Sequence, residues 1–504
     1  MNSTKGAKNI FWGLMAQIIT IGVGVLIPRL VLVNLGSESN GLMNSVSSVL
    51  TYLSLLEAGV GTATIQALYE PIARTDRDSI NRIMSATHFF YRRTGFVYLV
   101  LVAVLTVGYT IFAVTELPKI YVFLVVFISG LSGVLSYFFQ GKYRLLLSAE
   151  GKGYIVTNIS TVTSVGVSLT KAIVLIAGGN VVAVQMVYFA YNLLQMLVFS
   201  FYMRKHYKWL DLSVEPDFKA IAQRHAVLTH QIASLIFYNT DTVILTMLTN
   251  LKVVSVYSMY AMIYGMVKSI AVSVSDSVVF ALGQVWHDRK RFNKMFSAYE
   301  TYNTAITFAL FTIAGILMLP FLRLYTRGVT DINYLDSKVA LLFLVYYLMD
   351  NGRKPSGVVI NIAQHFEKTK WRAILEAVIN LTTSVLLTVR FGIYGVLAGT
   401  IIALLYRAND MIIYASKLLE RSPMVTYRRW GLNILVSASL VGCAELVAIS
   451  PDNYFKLVVY GIILSMITLP LFLGINSITN IEAAKYTWSV AKGVIMQRFK
   501  TNKQ

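Results

Sequence analysis

Eleven charged side chains stand inside otherwise apolar stretches of this 504-residue chain: Arg29, Glu57, Lys171, Asp241, Lys268, Asp276, Asp350, Arg353, Lys354, Arg407 and Asp410. A charge at the centre of a bilayer costs roughly 2.5–3.5 kcal/mol on insertion scales, so such residues face a cavity or a partner. The cations Arg29, Lys268, Arg353, Lys354 and Arg407 suit a path for an anion such as a diphosphate, Arg offering a planar fork to phosphate oxygens and Lys a point charge. The carboxylates Glu57, Asp241, Asp276, Asp350 and Asp410 are candidates to carry a coupling ion or to gate the path through ion pairs. A purely structural role competes at several positions. Arg407 and Asp410 at i,i+3, and Asp350 and Lys354 at i,i+4, can neutralise one another on one helix face. Lys171 lies near the end of its apolar segment and is expected to snorkel. Arg29 follows Pro28, which frees a backbone carbonyl and can kink a helix. Lys268 has no acidic residue on neighbouring turns. Glu57 precedes Ala58-Gly59-Val60-Gly61, where glycines weaken a helix, so a hinge or coupling role competes with helix packing.

Other chemistries lack their residues. Gly151-Lys152-Gly153 is followed by Tyr154, so the nucleotide-binding loop pattern is not met; there is no H-E-x-x-H, and the six histidines are scattered. With the single cysteine Cys443 no intrachain disulfide forms. The longest connection on the less basic side, Arg323 to Lys338, is too short to fold a catalytic domain. The expectation is a protein that is not an enzyme, with no metal and no cofactor beyond a coupling H+ or Na+.

The elements that hold these charges follow from composition. The chain is 56% hydrophobic and 13% charged, against about 25% charged in soluble proteins. Its apolar blocks match the roughly 20 residues of a transmembrane helix, without barrel-like alternation. The fold class is an all-α polytopic membrane protein with about fourteen spans, near residues 9–33, 42–67, 89–114, 119–141, 154–177, 181–203, 225–249, 254–282, 298–322, 339–363, 372–390, 394–416, 430–449 and 455–476. Connections alternate between a basic set, from Arg74–Arg93 to Lys417–Arg429 and the tail from Lys485, and a short set poor in positive charge, such as Asn34–Gly41, Gly178–Asn180, Phe391–Ile393 and Ser450–Tyr454. The positive-inside rule then puts both termini in the cytoplasm and reads the net charge of +20 as topology rather than nucleic-acid binding. Lys5 and Lys8 precede an apolar stretch too long for a signal peptide, which stays as the first span. In the tail, Trp488, Ile495 and Phe499 recur at helical intervals among Lys485, Lys492 and Arg498, which reads as an interfacial amphipathic helix.

A shift of about 215 residues aligns the loop at Gly36 with that at Asn250, the basic connection at Arg74 with that at Arg289, the exit at Leu147–Lys152 with Ile362–Glu367, and the turn at Gly178 with that at Ile393. The expected organisation is two six-helix bundles, 1–203 and 225–418, joined by a cytoplasmic linker at 204–224. A helix pair at 419–479 and a cytoplasmic amphipathic tail at 480–504 complete it. Parallel repeats of this kind place a substrate path between them.

Ile27-Pro28-Arg29, Leu35-Gly36-Ser37-Glu38, Asn40-Gly41-Leu42, Leu55-Leu56-Glu57-Ala58-Gly59-Val60-Gly61, Ala67-Leu68-Tyr69, Asn239-Thr240-Asp241, Val254-Ser255-Val256-Tyr257-Ser258 and Phe391-Gly392-Ile393-Tyr394-Gly395 give the chain, to about residue 420, a resemblance. It resembles the Wzx-like polysaccharide-exporting flippases of the multidrug/oligosaccharidyl-lipid/polysaccharide (MOP) superfamily. Val33 stands where many relatives carry Arg. The resemblance implies alternating-access transfer of a polyprenyl-diphosphate-linked oligosaccharide across the bacterial cytoplasmic membrane for cell-surface polysaccharide export. Membrane lipids, a polysaccharide polymerase and glycosyltransferases would be its partners, with no nucleic acid. A lipid II flippase and a multidrug or cation antiporter of the same superfamily are the alternatives.

Overall fold

In a computed structural model the chain is described over residues 3–57, 60–221, 225–447 and 449–501, and every regular element among them is helical. The first two expected segments are joined. Helix α1 (Ser3–Leu53) turns on a single residue, Gly36, with φ +79° and ψ 175°, a conformation that a side chain would strain. No longer loop is needed because the restarting helix is capped by another segment. The Asp331 carboxylate accepts from the Ser37 backbone N–H at 2.8 Å and from Ser37 Oγ at 2.6 Å. A 3₁₀ turn, Ser54–Leu56, leads to α2 (Val60–Ala73). Ala58 and Gly59, on which the hinge reading of Glu57 rests, lie outside the described residues.

The basic connections are largely helical, because Lys and Arg are good helix formers whose apolar stems extend a helix beyond its apolar stretch. Helix α3 (Arg77–Phe112) starts on Asp76, whose carboxylate accepts from Ser79 N–H at 3.1 Å and Ser79 Oγ at 2.6 Å. Helix α4 (Lys119–Leu135) passes through a π-helical turn at Ser136–Gln140 into α5 (Gly141–Ala149), so Lys142 and Arg144 are helical. Then come α6 (Gly153–Ile176), α7 (Val181–His206), α8 (His225–Leu248), α9 (Leu251–Gln284) and α10 (Arg289–Tyr325). The expected segment 339–363 is broken at Arg353 into α11 (Ser337–Gly352) and α12 (Lys354–Ile362). Helices α13 (Phe366–Phe391) and α14 (Ile393–Leu418) turn on Gly392, and α15 (Met424–Val447), α16 (Tyr454–Thr479) and α17 (Ile481–Thr501) follow. The side chains of Ile495, Arg498 and Phe499, which carry the amphipathic reading of the tail, lie outside the described residues; Trp488 is exposed.

Among the described residues, ten helices are long and apolar enough to cross a membrane, and the bent pair formed by α1 and α2 makes an eleventh. The remaining expected segments also fall on helices. The described apolar part of α8, Ile232–Leu248, is shorter, and α11 with α12 carries Asp350, Arg353 and Lys354.

The chain packs as two compact units: Met1–Ser258 with Gly328–Ile332, and Met259–Arg327 with Asn333–Gln504. The boundary falls within α9, so α8 belongs to the first unit. There α1 meets α8 and the first turns of α9 along a run of neutral hydrogen bonds: Asn40 Nδ2 to Ser255 Oγ at 2.7 Å, Ser45 to Thr246 at 2.6 Å and Tyr52 to Thr240 at 2.7 Å. The backbones approach so closely that a Cβ on Gly41 would lie 1.8 Å from the Leu251 carbonyl oxygen. In the second unit, Tyr260 and Tyr264 of α9 stack on Phe343 and Tyr347 of α11. Glu300 of α10, 1% exposed, accepts from Arg421 at 2.7 Å, Thr426 Oγ1 at 2.6 Å and also Arg429, which pins the α14–α15 connection and α15 to α10. Asn433 and Asn476 exchange amide hydrogen bonds of 2.9 and 3.1 Å between α15 and α16.

Candidate functional site

The second unit gathers five of the charges singled out above, with two others, into one chain of ion pairs. Lys268 Nζ on α9 lies 2.7 Å from Asp350 Oδ2 on α11, and Asp350 Oδ1 accepts from Arg353 Nη2 at 2.9 Å. Arg353 also donates to Glu376 on α13. The other oxygen of Glu376 is 3.2 Å from Arg407 Nε on α14, and Arg407 Nη1 reaches Asp410 Oδ2 at 2.7 Å. Asp410 ends on Arg372, near the start of α13, whose guanidinium lies 4.8 Å from the centre of the Tyr414 ring. Four cations and three carboxylates thus alternate, leaving one positive charge in excess. The interior members are well covered, Asp350 to 3% side-chain exposure, whereas the two ends stay accessible: 28% for Lys268 and 39% for Arg372.

Two pairings differ from the sequence expectation. Lys268, without an acidic residue on neighbouring turns, receives Asp350 from another helix. Asp350 does not pair with Lys354, because the ladder breaks at Arg353 and the i,i+4 register does not carry across. Lys354 instead pairs at 2.8 Å with the exposed Asp276 of α9. The i,i+3 pair Arg407–Asp410 forms as expected but is embedded in the larger chain. Glu376 and Arg372 escaped the sequence reading, although Glu376 carries the same signal as the others, a charge inside an apolar helix. Glu300 was missed in the same way.

The remaining predicted residues belong to the first unit. Glu57, after the 3₁₀ turn, accepts from Tyr91 Oη of α3. Asp241 of α8 is 2% exposed and accepts from Tyr257 Oη at 2.9 Å. Arg29 is half-buried on α1, directly after Pro28. Pro28 lines a cavity of about 470 Å³ between α1, α3, α4, α6 and α7, together with Lys171. Lys171 does not snorkel: it is 8% exposed and its ammonium lies 5.1 Å from the centre of the Tyr188 ring. It turns inward because the cavity's polar wall offers better solvation than the apolar outer face of α6, where Leu169 and Ile173 are exposed. Nearby, Arg144 donates to Ser160 Oγ at 2.9 Å, while its Nε is buried without a hydrogen bond. Lys142 packs its ammonium 2.9 Å from His88 Nδ1. The second unit has a further cavity, of about 720 Å³, between α10, α11 and α15, lined by Leu319, Leu341 and Val441 with Arg323, Lys338 and Glu445. Among the described residues, no group of three or more His, Cys, Asp or Glu side chains is placed to hold a metal.

No protein-family model and no curated protein matches the chain. Solved structures do. Lipid II flippase MurJ in its inward closed conformation superposes with TM-score 0.67 at 14% identity, over 92% of this chain and 98% of MurJ. An inward-facing multidrug resistance MATE family transporter of the MOP superfamily superposes with TM-score 0.62 at 12% identity, over 79% of this chain and 94% of its own. At these identities the likeness is one of fold, and the chain is a multi-pass, all-helical membrane protein with the fold shared by MurJ and the MATE transporters.

Proposed function

We propose that this protein is a flippase that moves a polyprenyl-diphosphate-linked oligosaccharide from the inner to the outer leaflet of the bacterial cytoplasmic membrane by alternating access, for cell-surface polysaccharide export. The observation that carries the reading is the buried seven-residue chain with its excess of positive charge, set in a fold of this kind. A carboxylate held between two cations is a placeholder for an incoming anion. A diphosphate arriving at Lys268 or Arg372 meets the accessible ends first, and the Asp and Glu partners re-pair as it binds. The cargo then shifts the conformational equilibrium by its differential affinity for the state in which these pairs are open. Both termini lie in the cytoplasm, and the 1–203 and 225–418 bundles move about the path, with the 419–479 pair and the tail appended. Glu57 and Asp241 carry the coupling H+ or Na+, so no other cofactor is required and no bond is made or broken. A polymerase and glycosyltransferases hand over and receive the cargo.

Two neighbouring readings share the fold. The extent of the MurJ superposition favours lipid II as an alternative cargo. The MATE superposition supports a drug or cation antiporter, which the cationic excess disfavours. Deleting the gene and following lipid-linked oligosaccharides separates all three. The expected result is accumulation of the oligosaccharide on the cytoplasmic face, restored to normal by the intact gene. Accumulation of lipid II, or altered drug sensitivity with no lipid-linked intermediate, would overturn the proposal in favour of the corresponding alternative.

A further inference from the structure

The cavity of the first unit poses a problem that the ion-pair chain does not solve. Lys171 and Gln185 are both more than nine-tenths buried, at 8% and 7% exposure, and both line it. Among the described residues neither side chain has a hydrogen bond or an ion pair; the ammonium has only the Tyr188 ring. Buried polar groups find partners as a rule, and an uncompensated charge is costlier than an amide. The rest of the polar wall is neutral. Asn40, Asn44, Ser47 and Thr51 recur along one face of α1 at helical spacing, and no carboxylate joins them. At about 470 Å³ the space falls within the few hundred to a thousand cubic ångströms of small-molecule sites.

We infer that this cavity binds a sugar bearing one carboxylate, with Lys171 as its counter-ion and Gln185 and the α1 amides and hydroxyls as hydrogen-bond partners for its ring oxygens. The charge count selects the class. One ammonium balances one carboxylate, whereas a diphosphate brings more charge than the cavity can answer. Amides and hydroxyls both donate and accept, as sugar hydroxyls do. The inference deepens the flippase reading and rests on it: the exported oligosaccharide contains an acidic residue, and the first unit recognises it separately from the diphosphate.

The test uses the purified full-length protein in lipid nanodiscs, thermally unfolded with methyl glucuronide, methyl glucoside or inorganic pyrophosphate, for wild type, Lys171→Met and Lys171→Arg. Methyl glucuronide is expected to protect the wild type more than the other two compounds do. Lys171→Met should weaken its apparent affinity about ten- to a hundredfold, the loss of one charge-assisted hydrogen bond, and Lys171→Arg should keep part of it. Without ligand, Lys171→Met should be at least as stable as wild type, since it removes a buried charge. Equal protection of wild type and Lys171→Met, equal protection by the glucoside, stronger protection by pyrophosphate, or a less stable empty Lys171→Met protein would each overturn the inference. None of these outcomes bears on whether deletion causes lipid-linked oligosaccharide to accumulate, so the two readings fail separately.

Discussion

Replacing Asp350 by Asn removes one charge and almost no volume from the most deeply covered point of the ion-pair chain. Asp350 accepts from Lys268 at 2.7 Å and from Arg353 at 2.9 Å. Arg353 keeps Glu376, but Lys268 loses this carboxylate. Breaking a buried pair by removing one partner costs about 3–5 kcal/mol. Because the Lys268 side chain is only partly covered, at 28% exposure, the lower end applies, about 3 kcal/mol. For a unit of this size that corresponds to a fall in Tm of roughly 6–12 °C. Adding Lys268→Met removes the ammonium that faced Asp350, so the double variant is expected to recover more than half of the loss, with a coupling of about 1–3 kcal/mol between the two sites. Scanning fluorimetry of the purified protein in detergent, on wild type, both single variants and the double variant, reads this directly. A Tm within about 1 °C of wild type for Asp350→Asn, or strictly additive losses in the double variant, would refute the pairing and the magnitude built on it.

Glu300→Gln should weaken the anchoring of α15, because Arg421 and Arg429 then share a neutral acceptor; a loss of about 3–5 kcal/mol is expected, visible as faster proteolysis between Leu419 and Pro423. Gly41→Ala, whose new Cβ would lie 1.8 Å from the Leu251 carbonyl, should sharply lower the amount of folded protein in the membrane. Gly108→Ala, with nothing within 4 Å of its Cβ, should leave it unchanged or raise it slightly, and immunoblotting of membranes against total protein separates the two. The Asp76 carboxyl is held below the usual aspartate value by its hydrogen bonds from Ser79. Its capping contribution is therefore full above pH about 3.9 and is lost as pH falls below that. Hydrogen exchange in the first turn of α3, corrected for intrinsic rates, should speed up in acid in the wild type and show no such step in Asp76→Ala.

The helices were legible in the sequence because a bilayer demands long apolar segments, and each expected segment has a helix in its place. The joints were less so. Asn34–Gly41 reads as a loop by composition, yet one glycine and a cap from Asp331, some three hundred residues away, do the turning. Helix breaks such as Arg353 are small conformational changes that composition does not mark. Lys268, Arg353, Arg407, Asp350 and Asp410 could be picked out as charges in apolar helices, but most of their pairings could not. Local spacing offers only i,i+3 and i,i+4 neighbours, while Lys268–Asp350 and Arg353–Glu376 join separate helices. Lys171 failed for a related reason. Nearness to a helix end is visible in sequence, but which way the side chain leaves the helix depends on the cavity opposite it.

The ion-pair chain begins and ends with a cation. Its surplus charge therefore belongs to no single residue. If Asp350 turns wholly toward Lys268, the deficit sits on Arg353; if Glu376 then turns toward Arg353, it moves to Arg407, and one more step delivers it to Arg372. The unmatched charge behaves like a vacancy in a row of paired seats, passed along by small side-chain rotations across four helices while no backbone shifts. An anion admitted beside Lys268 can thereby be registered at Arg372, at the far end of the row.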